Sequence, residues 1–325
     1  MTDKQQTTPS ASSQTAFAIE HGFSVAGILK TAPLEPLENR LLIMHALGLT
    51  RTQLITQDQR SVDAQQAALL TQLFRRRMEG EPIAYILGER EFFGLMLEVT
   101  PDVLIPRPDT ELLVELALER LTDAQPSQNI TPQTVLDLGT GSGAIAIAIA
   151  ATRPHVQVTA VDVSIEALAV ARRNAARHLA LRADKFNLVH SDWYAALNTS
   201  DALGKSTPQR FDMIVANPPY IVEGDRHLSQ GDLRFEPLNA LTDHADGLSA
   251  LRIIANNASD HLNQGGWLLM EHGYDQAEAV IALLQTLPFE AIQSWQDLAG
   301  IARVSGGRLK SAAEIRHEPI TPNPD

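Results

Sequence analysis

The tetrapeptide Asn217-Pro218-Pro219-Tyr220 combines hydrogen-bond acceptors with an aromatic ring. It follows the apolar run 211–216, which is typical of a buried strand. Neither proline carries an N–H, so the segment offers backbone carbonyls without competing donors, and Asn217 adds a side-chain oxygen. These acceptors suit the N–H bonds of a planar amide or amino nitrogen, and the Tyr220 ring can stack on such a group. A rigid turn is the alternative, but one proline suffices for a turn. We therefore predict a catalytic, substrate-binding site at Asn217, Pro218, Pro219 and Tyr220.

A glycine-rich turn is predicted between a strand at 135–138 and an apolar helix at 144–150, with the sequence Asp137-Leu138-Gly139-Thr140-Gly141-Ser142-Gly143. Glycines allow a tight turn and let a ligand contact the backbone directly. The helix N-terminus then faces a negative or polar group of that ligand. The glycine spacing differs from the G-x-G-x-x-G of dinucleotide enzymes, which argues against a nicotinamide dehydrogenase.

A second acidic residue, Asp162, ends the next predicted strand, 156–162, about 20 residues beyond the glycines. A carboxylate there can accept hydrogen bonds from ribose hydroxyls. The alternative role is to cap the following helix, which Ser164 can fill instead. We therefore expect Asp162 to bind a ribose.

The combined pattern resembles the class I methyltransferases, which use S-adenosyl-L-methionine and release S-adenosyl-L-homocysteine. In that family the glycine turn approaches the amino-acid part of the cofactor, and the strand-end acid holds the ribose. The resemblance implies cofactor contacts from the following residues: Asp137, Gly139, Thr140, Gly141, Ser142, Gly143, Asp162, Asp192, Trp193 and Asn217. Asp192 is expected to meet the adenine amino group and Trp193 to pack on the ring; core packing is the alternative for Trp193.

The tetrapeptide also resembles that of methyltransferases acting on amide or amino nitrogens. An amide nitrogen is a poor nucleophile because its lone pair is delocalised into the carbonyl. Catalysis must position it against the sulfonium methyl group and stabilise the charge that develops. The Asn217 oxygen and the Pro218 carbonyl can do both, and the π face of Tyr220 favours the sulfonium cation.

Two further stretches narrow the substrate: Leu104-Ile105-Pro106-Arg107-Pro108-Asp109-Thr110-Glu111, and the segment 227–241 that contains Phe235-Glu236-Pro237. With the tetrapeptide, they closely resemble the release factor glutamine methyltransferase family, PrmC, also called HemK. The resemblance runs from the N-terminal helical segment to about Arg308.

This resemblance implies methylation of N5 of the glutamine in the Gly-Gly-Gln motif of class-1 peptide chain release factors. It implies a cytoplasmic monomer with no metal and no nucleic-acid or membrane partner. Arg107 and Glu236 are expected to bind substrate beside the tetrapeptide, although Arg107 can alternatively pair with Glu111. The cluster Glu271-His272-Gly273 is expected to be structural.

Three other functions were weighed against this one. A sister family methylates a ribosomal protein glutamine and shares the tetrapeptide, but it differs around Arg107 to Glu111. Adenine-N6 methyltransferases of nucleic acids need a basic groove and a target-recognition domain. A non-enzymatic interaction module would have lost the tetrapeptide or the glycine turn, and both are intact.

The elements that must position these residues form an α/β fold, predicted from alternating helices and short apolar strands. We predict a Rossmann-like class I methyltransferase with a mostly parallel seven-stranded sheet, helices on both faces, and a small N-terminal helical domain joined by a β-hairpin. The predicted segments are a disordered tail at 1–16, a helical substrate-docking domain at 17–85, a β-hairpin linker at 86–107, the methyltransferase domain at 108–308 and a flexible tail at 309–325. Helices are predicted to end at Gly48 and Gly80, loops to occupy 122–133 and 198–210, and Asp109 or Thr110 to cap a helix.

Composition agrees with this interpretation. The chain has 325 residues, no cysteine and a formal net charge of −13. Nonspecific nucleic-acid binding relies on Lys and Arg, so this charge argues against it. The basic run Arg75-Arg76-Arg77 is interpreted as the solvated end of a helix, where positive charge suits the helix dipole. No apolar run approaches the roughly 18 residues of a membrane span, and no signal peptide is evident.

Overall fold

The computed structural model describes residues 17–121, 132–180, 183–200 and 206–311. The chain divides into two compact units, one ending at Leu87 and the other beginning at Gly88. The predicted tail at 1–16 and most of the predicted loop at 122–133 lie outside the described residues. The predicted tail at 309–325 begins too early, because Leu309 still pairs with Phe289 in a strand; residues from 312 onward lie outside the description.

The first unit is helical among its described residues. Its helices are α1 Val25–Thr31, α2 Pro36–Leu47, α3 Arg51–Thr56, α4 Ala64–Met78 and α5 Ile83–Leu87. Both predicted helix ends are confirmed, because Gly48 and Gly80 adopt left-handed φ values of 62° and 96°. A capping box of Asp63 and Gln66 starts α4.

The run Arg75-Arg76-Arg77 forms the last turn of α4, as predicted. Arg76 Nε donates to Glu81 at 2.7 Å, and Arg77 Nε donates to Glu38 on α2 at 2.9 Å. The position at the helix end is confirmed, but only Arg75 is exposed as predicted, because Arg76 and Arg77 are half-buried in ion pairs that stabilise the end of α4.

The hairpin is shorter than predicted and consists of β1 Glu89–Phe92 and β2 Leu95–Glu98. Phe93 and Gly94 form its two-residue turn, both with positive φ, which matches the twist of the strands. Phe92 and Leu97 are buried in the main core of the second unit, and Glu98 N donates to Asn174 Oδ1 at 2.7 Å. The hairpin is thus part of the second unit and not a free-standing linker.

A seven-stranded sheet organises the described part of the second unit. Its strands are β3 Thr134–Leu138, β4 Gln157–Asp162, β5 Phe186–His190, β8 Phe211–Ala216, β9 Leu262–Glu271, β10 Phe289–Gln296 and β11 Ala302–Leu309, in the order β10-β11-β9-β8-β3-β4-β5. The five neighbouring strands β9, β8, β3, β4 and β5 are parallel to one another, and β11 runs antiparallel to both of its neighbours, β9 and β10. The predicted mostly parallel sheet is therefore confirmed. The loop predicted at 198–210 is wrong in part, because β6 Asn198–Ser200 and β7 Ser206–Pro208 pair there.

Helices cover both faces of the sheet, as predicted. They are α6 Glu111–Arg120, α7 Ala144–Thr152, α8 Ile165–His178, α9 Leu238–Leu241, α10 Ser249–His261 and α11 Ala277–Gln285. Successive strand residues point to opposite faces. Val135 therefore joins the core that contains α6 and α7, while Leu136 joins the core that contains α10 and α11. Among the described residues, no helix is long and apolar enough to cross a membrane.

The strand order also fixes where a ligand can bind. The chain moves from β3 outward through β4 to β5, and then returns to the other side of β3 as β8. Such a reversal leaves a crevice at the carboxyl ends of the two neighbouring strands. The glycine turn follows β3 and Asn217 follows β8, so both lie at this crevice.

Candidate active site

The glycine turn is left-handed at Gly139, Gly141 and Gly143, with φ of 71°, 55° and 85°. A side-chain carbon at Gly141 would meet nothing within 4 Å, so its backbone borders open space that a ligand can enter. A side-chain carbon at Gly143 would lie 2.8 Å from Ile147 Cδ1 and 3.2 Å from Ala171 Cβ. Gly143 therefore serves the packing of α7 and α8, while Gly141 serves the open side.

Asp162 closes the turn from the neighbouring strand. Its Oδ2 accepts from Gly141 N at 2.8 Å and its Oδ1 accepts from Ser164 N at 2.9 Å. Ser164 caps α8 by accepting from Ala167 N, so Asp162 is not the helix cap. A carboxylate has about four lone-pair sites, and Asp162 therefore keeps acceptor capacity for a ligand. Burial raises its pKa, and the backbone donors Ser164 and Gly141 counteract the rise.

Asp137 supports the turn from inside the protein. It is fully buried, and its Oδ2 accepts from Thr140 Oγ1 at 2.6 Å. Its Oδ1 has no hydrogen-bond partner among the described residues. Burial raises the pKa of Asp137 to about 7, the negative charge of Asp162 adds to the rise, and the Thr140 hydroxyl opposes it. The carboxyl group is therefore poised between its charged and neutral forms near neutral pH.

A cavity of about 390 Å³ opens at the crevice, within the size range of small-molecule sites. The predicted residues that line it are Gly139, Gly141, Asp162, Asp192, Trp193, Asn217 and Pro219. Residues 101–104 form another part of the wall, together with Pro237, Asn239 and Ala240. The predicted residues that do not line it are Asp137, Thr140, Ser142, Gly143, Pro218, Tyr220, Arg107 and Glu236. One cavity thus brings together the glycine turn, the strand-end acid Asp162, the ring of Trp193 and part of the tetrapeptide.

Trp193 lies directly against the glycine turn. A side-chain carbon at Gly139 would lie 3.6 Å from the Trp193 ring, which is an ordinary van der Waals contact, so the ring packs directly on the backbone of the turn. Trp193 itself has φ of 46°, a left-handed conformation that is uncommon for a large residue. The ring therefore borders the cavity and also packs on the core that contains α10.

Asn217 is held by a residue that the sequence analysis assigned to another task. Asn217 Nδ2 donates to Thr110 Oγ1 at 3.1 Å, across 107 positions of sequence. Thr110, one of the two residues predicted to cap this helix, occupies the N-cap position of α6, but its side chain makes no capping hydrogen bond. Asp109 instead pairs with Arg303 of β11 at 3.1 Å.

Tyr220 is anchored at both ends. Its hydroxyl donates to Glu271 Oε1 at 3.4 Å, and its backbone oxygen accepts from Gln276 Nε2 at 3.0 Å. Burial raises the pKa of Tyr220, and the Glu271 charge adds to the rise, so the hydroxyl keeps its proton. Glu271 is 2% exposed, and burial raises its pKa to about 7.

Arg107 pairs with Glu236 and not with Glu111, whose Oε1 accepts from Phe93 N at 3.0 Å. The Glu236 side chain is fully buried and also accepts from Ile105 N at 3.0 Å. Burial raises the pKa of Glu236, and the Arg107 charge counteracts the rise. Glu236 precedes Pro237 of the cavity wall and binds Ile105, which follows the other wall segment, 101–104. The side chain therefore connects these two parts of the wall.

Three residues of this site were missed or undervalued from the sequence. Thr110 was assigned to capping, Gln276 was not singled out, and Glu271 was expected to be structural with His272 and Gly273. Only Glu271 carried a signal in the sequence, because it ends β9, the parallel neighbour of β8. Side chains at the carboxyl ends of adjacent parallel strands meet at one edge of the sheet.

His272 remains a structural residue. Its Nδ1 donates to the Gly273 carbonyl at 2.8 Å, so its Nε2, 2.8 Å from Ser305 Oγ, must accept from that hydroxyl. Burial lowers the pKa of His272, which keeps the ring neutral. Within the described ranges, no three His, Asp or Glu side chains form a group that could hold a metal ion.

Comparison with known proteins gives matches for both units. Residues 25–88 match the family described as the PrmC N-terminal domain, and residues 114–232 match the methyltransferase small domain. A release factor glutamine methyltransferase of Burkholderia pseudomallei is 50% identical over 288 residues, which cover 88% of this chain and 96% of that protein. Its counterpart in Bordetella pertussis is 50% identical over 282 residues, covering 87% and 98%. A solved methyltransferase structure from Pyrococcus furiosus aligns with a TM-score of 0.47 and 21% identity over 73% of this chain and 98% of that one.

Proposed function

The chain belongs to the release factor glutamine methyltransferase family, and from that premise we propose how its residues carry out the reaction. It is a methyltransferase that uses S-adenosyl-L-methionine and methylates a glutamine of a release factor. The finer proposal is that the methyl group is added to N5 of the glutamine in the Gly-Gly-Gln motif of class-1 release factors. The observation that carries it is the meeting of the Asn217 carboxamide and the glycine turn at one cavity.

The residues around the cavity fit the cofactor. Open space at Gly141 admits a ligand to the backbone, and Asp162 has lone pairs left for ribose hydroxyls. Asp192 and Trp193 line the same cavity and are proposed to hold the adenine. Asp137, Thr140, Ser142 and Gly143 are proposed to act from behind, by shaping the turn. When bound, S-adenosyl-L-methionine supplies an electrophilic methyl group on a sulfonium.

The tetrapeptide positions the nucleophile. The Asn217 oxygen and the Pro218 carbonyl accept the two N–H bonds of the glutamine amide, which aligns the nitrogen and supports the positive charge that develops on it. Neither proline offers a competing N–H. The Tyr220 ring packs on the flat carboxamide, and its hydroxyl, held by Glu271, keeps the ring in place.

The amide needs no ionised base before it attacks, because the nitrogen becomes acidic once it is alkylated. The alkylated nitrogen then loses its proton to solvent. Asn217 and the Pro218 carbonyl therefore serve to align the nitrogen and to stabilise the charge that develops on it before the proton leaves.

The helical first unit is proposed to dock the release factor, because its described residues contain no group that resembles a catalytic set. Arg107 and Glu236 are proposed to border the substrate path beside the cavity wall. We further propose a cytoplasmic monomer without a nucleic-acid or membrane partner, on the basis of the substrate and the net charge of −13.

Mass spectrometry tests the proposal most directly. A purified bacterial release factor is incubated with this enzyme and S-adenosyl-L-methionine, and peptides are mapped. We expect a gain of about 14 Da at the Gly-Gly-Gln glutamine. Asn217→Ala is expected to abolish the gain. Methylation of a ribosomal protein or of adenine instead would overturn the substrate assignment and leave the cofactor site intact.

A further inference from the structure

Gln276 is a buried residue, 8% exposed, whose side-chain amide joins three separate stretches of backbone. Its Nε2 donates to the Tyr220 carbonyl at 3.0 Å and to the Gly247 carbonyl at 3.1 Å. Its Oε1 accepts from Gly273 N at 2.8 Å. A backbone N–H only donates and a carbonyl only accepts, so these partners fix which way the amide points. Both hydrogens of the NH₂ group therefore hold Tyr220 and Gly247 close to each other.

A role in capping a helix does not explain this side chain. Gln276 occupies the N-cap position of α11, but it makes no side-chain hydrogen bond to the helix. Ser, Thr, Asp and Asn are the residues preferred at that position, because their short side chains reach the first N–H groups of a helix. The longer side chain of Gln276 extends instead to the chain that follows the tetrapeptide. The residue therefore serves a contact outside its own helix.

The two carbonyls lie at the ends of one segment, 221–247, which we call the wall loop and which connects β8 to α10. Tyr220 directly precedes the wall loop and Gly247 ends it. Next to the Gln276 contacts, Ile221 N donates to the Leu241 carbonyl at 3.0 Å. The start and the end of the wall loop are thus held side by side.

Gly247 lets the two ends approach this closely. Its φ is 79°, and a side-chain carbon there would lie 2.6 Å from the Tyr220 carbonyl oxygen and 2.8 Å from Gln276 Nε2. Both distances are too short for a real side chain, so the contact requires glycine. Asp243 Oδ1 accepts from Gly247 N at 3.0 Å, so both polar backbone groups of Gly247 have partners.

The wall loop and the tetrapeptide border the same cavity. Pro237, Asn239 and Ala240 of the wall loop line it, as do Asn217 and Pro219 of the tetrapeptide. A displacement at the base of the wall loop would therefore change the distance between these two sides of the cavity. Catalysis is sensitive to such changes, because a reacting group that moves by about 1 Å can lose about 100-fold in rate.

We propose that Gln276 is a positioning residue that holds the base of the wall loop against the Tyr220 carbonyl and so fixes the tetrapeptide relative to the cavity wall. Gln276 does not itself line the cavity, so it acts through Tyr220 and Gly247. This inference rests on the proposed function, because the spacing affects the rate only if the tetrapeptide holds the substrate amide and the cavity holds the cofactor.

Two substitutions of Gln276 test the proposal. Gln276→Met removes all three hydrogen bonds at nearly constant length, and Gln276→Glu keeps an acceptor for Gly273 N but places an oxygen against the two carbonyls. Each is expected to lower kcat about 10- to 100-fold by displacing the tetrapeptide. The KM for the release factor should change by less than about 3-fold, because the buried side chain does not reach the protein surface. Gln285→Met and Gln285→Glu make the same changes at an exposed position of α11 and should leave kcat unchanged.

A double variant separates positioning from a structural role. Gly247→Ala places a carbon against the same Tyr220 carbonyl, so it should lower kcat by a similar factor. If both residues act through that carbonyl, the variant that carries Gly247→Ala and Gln276→Met should be no slower than the slower single variant. A role confined to the stability of α11 would instead give losses of rate that multiply.

A second readout does not depend on the substrate. Protein labelled with ¹³C at the tyrosine carbonyl and ¹⁵N at isoleucine gives an NMR signal only where isoleucine follows tyrosine, at Tyr85-Ile86 and at Tyr220-Ile221. Tyr220→Phe removes the second signal and so assigns both. The Tyr220 carbonyl signal should move in both Gln276 variants, because the carbonyl loses a donor. The Tyr85 signal is an internal control and should stay in place.

The outcomes separate this inference from the proposed function. Wild-type kcat in both Gln276 variants, a Tyr220 signal that does not move, or losses that multiply in the double variant would each overturn the inference. If the signal moves but the wild type leaves the release factor unmethylated, the proposed function fails and the contact at the base of the wall loop stands. If Gln276→Met does not fold, Gln276→Glu and Gly247→Ala decide by the same signal and the same rate.

Discussion

The ion pair between Glu236 and Arg107 should contribute measurably to the free energy of unfolding of the second compact unit. Glu236→Ala removes two interactions of a fully buried side chain, the bond from Ile105 N at 3.0 Å and the ion pair with Arg107. Losing the first leaves a buried N–H without a partner, which costs about 1–3 kcal/mol. The second is worth roughly 1 kcal/mol, because Arg107 is 35% exposed and water replaces part of the pairing.

The burial of the carboxylate works in the opposite direction. Burial raises the pKa of Glu236 more than Arg107 lowers it, so the charge is held at a cost that the substitution relieves. We therefore expect a net loss of about 2 kcal/mol for Glu236→Ala. Arg107→Ala should cost about 1–2 kcal/mol, because the carboxylate left behind can take up a proton. A double-mutant cycle should give a coupling of about 1 kcal/mol.

Urea unfolding followed by tryptophan fluorescence measures these losses. The three tryptophans, Trp193, Trp267 and Trp295, all belong to the second unit, so the signal reports on that unit alone. Arg252→Ala is the matched control, because it breaks an exposed ion pair with Asp246 and should cost less than about 0.5 kcal/mol. Losses that add without coupling would refute the idea that the bridge acts as one unit. Cofactor affinity, measured on the same variants, should fall because the bridge adjoins two cavity walls.

The glycine turn and the side chains that contact it give three further predictions. Gly143→Ala should destabilise the second unit by about 1–3 kcal/mol, because the new side chain is strained at a left-handed φ and contacts Ile147. Gly300 is also left-handed but borders open space, so Gly300→Ala should cost only about 1 kcal/mol in the same urea titration. Cofactor binding should release protons and strengthen as the pH rises through about 7, because a cationic ligand favours the charged form of Asp137. Calorimetry in buffers of different ionisation enthalpy measures this release, and a binding enthalpy that does not depend on the buffer would contradict the prediction. Trp193→Ala should weaken cofactor binding by about 10- to 100-fold, and an unchanged cofactor Kd measured by calorimetry would show that the ring serves packing alone.

The parts of the molecule that local sequence determines were predicted well. The glycine turn follows from one strand, one helix and three glycines within seven residues, and the helix ends at Gly48 and Gly80 follow from glycine alone. The strand before Asn217 is an apolar run, which burial on both faces of a parallel sheet requires. Each of these features depends on residues that are close in the sequence, so the local sequence is sufficient to predict it.

The parts that depend on distant partners were not predicted. Thr110 and Asn217 are 107 positions apart, and nothing in either local sequence indicates their contact. Arg107 had a plausible local partner in Glu111, but the fold presents the more buried Glu236, which also binds Ile105 N. The short ladder of β6 and β7 is polar and lacks an alternating pattern, so periodicity could not reveal it.

Two buried carboxyl groups show what the site costs the fold. Asp137 ends in an oxygen without a partner, as does Glu271, within the described part of the chain, and burial raises the pKa of both to about 7. For each, the folded state holds its proton more tightly than the unfolded state, so the stability that the group contributes is fully present below its unfolded pKa and is lost as the pH rises through about 7. A fold selected for stability alone would have no use for two such groups at the ends of β3 and β9. Both groups lie beside the residues proposed to act in methyl transfer, Asp137 behind the glycine turn and Glu271 against the Tyr220 hydroxyl, which is where buried groups that cost stability are expected to cluster.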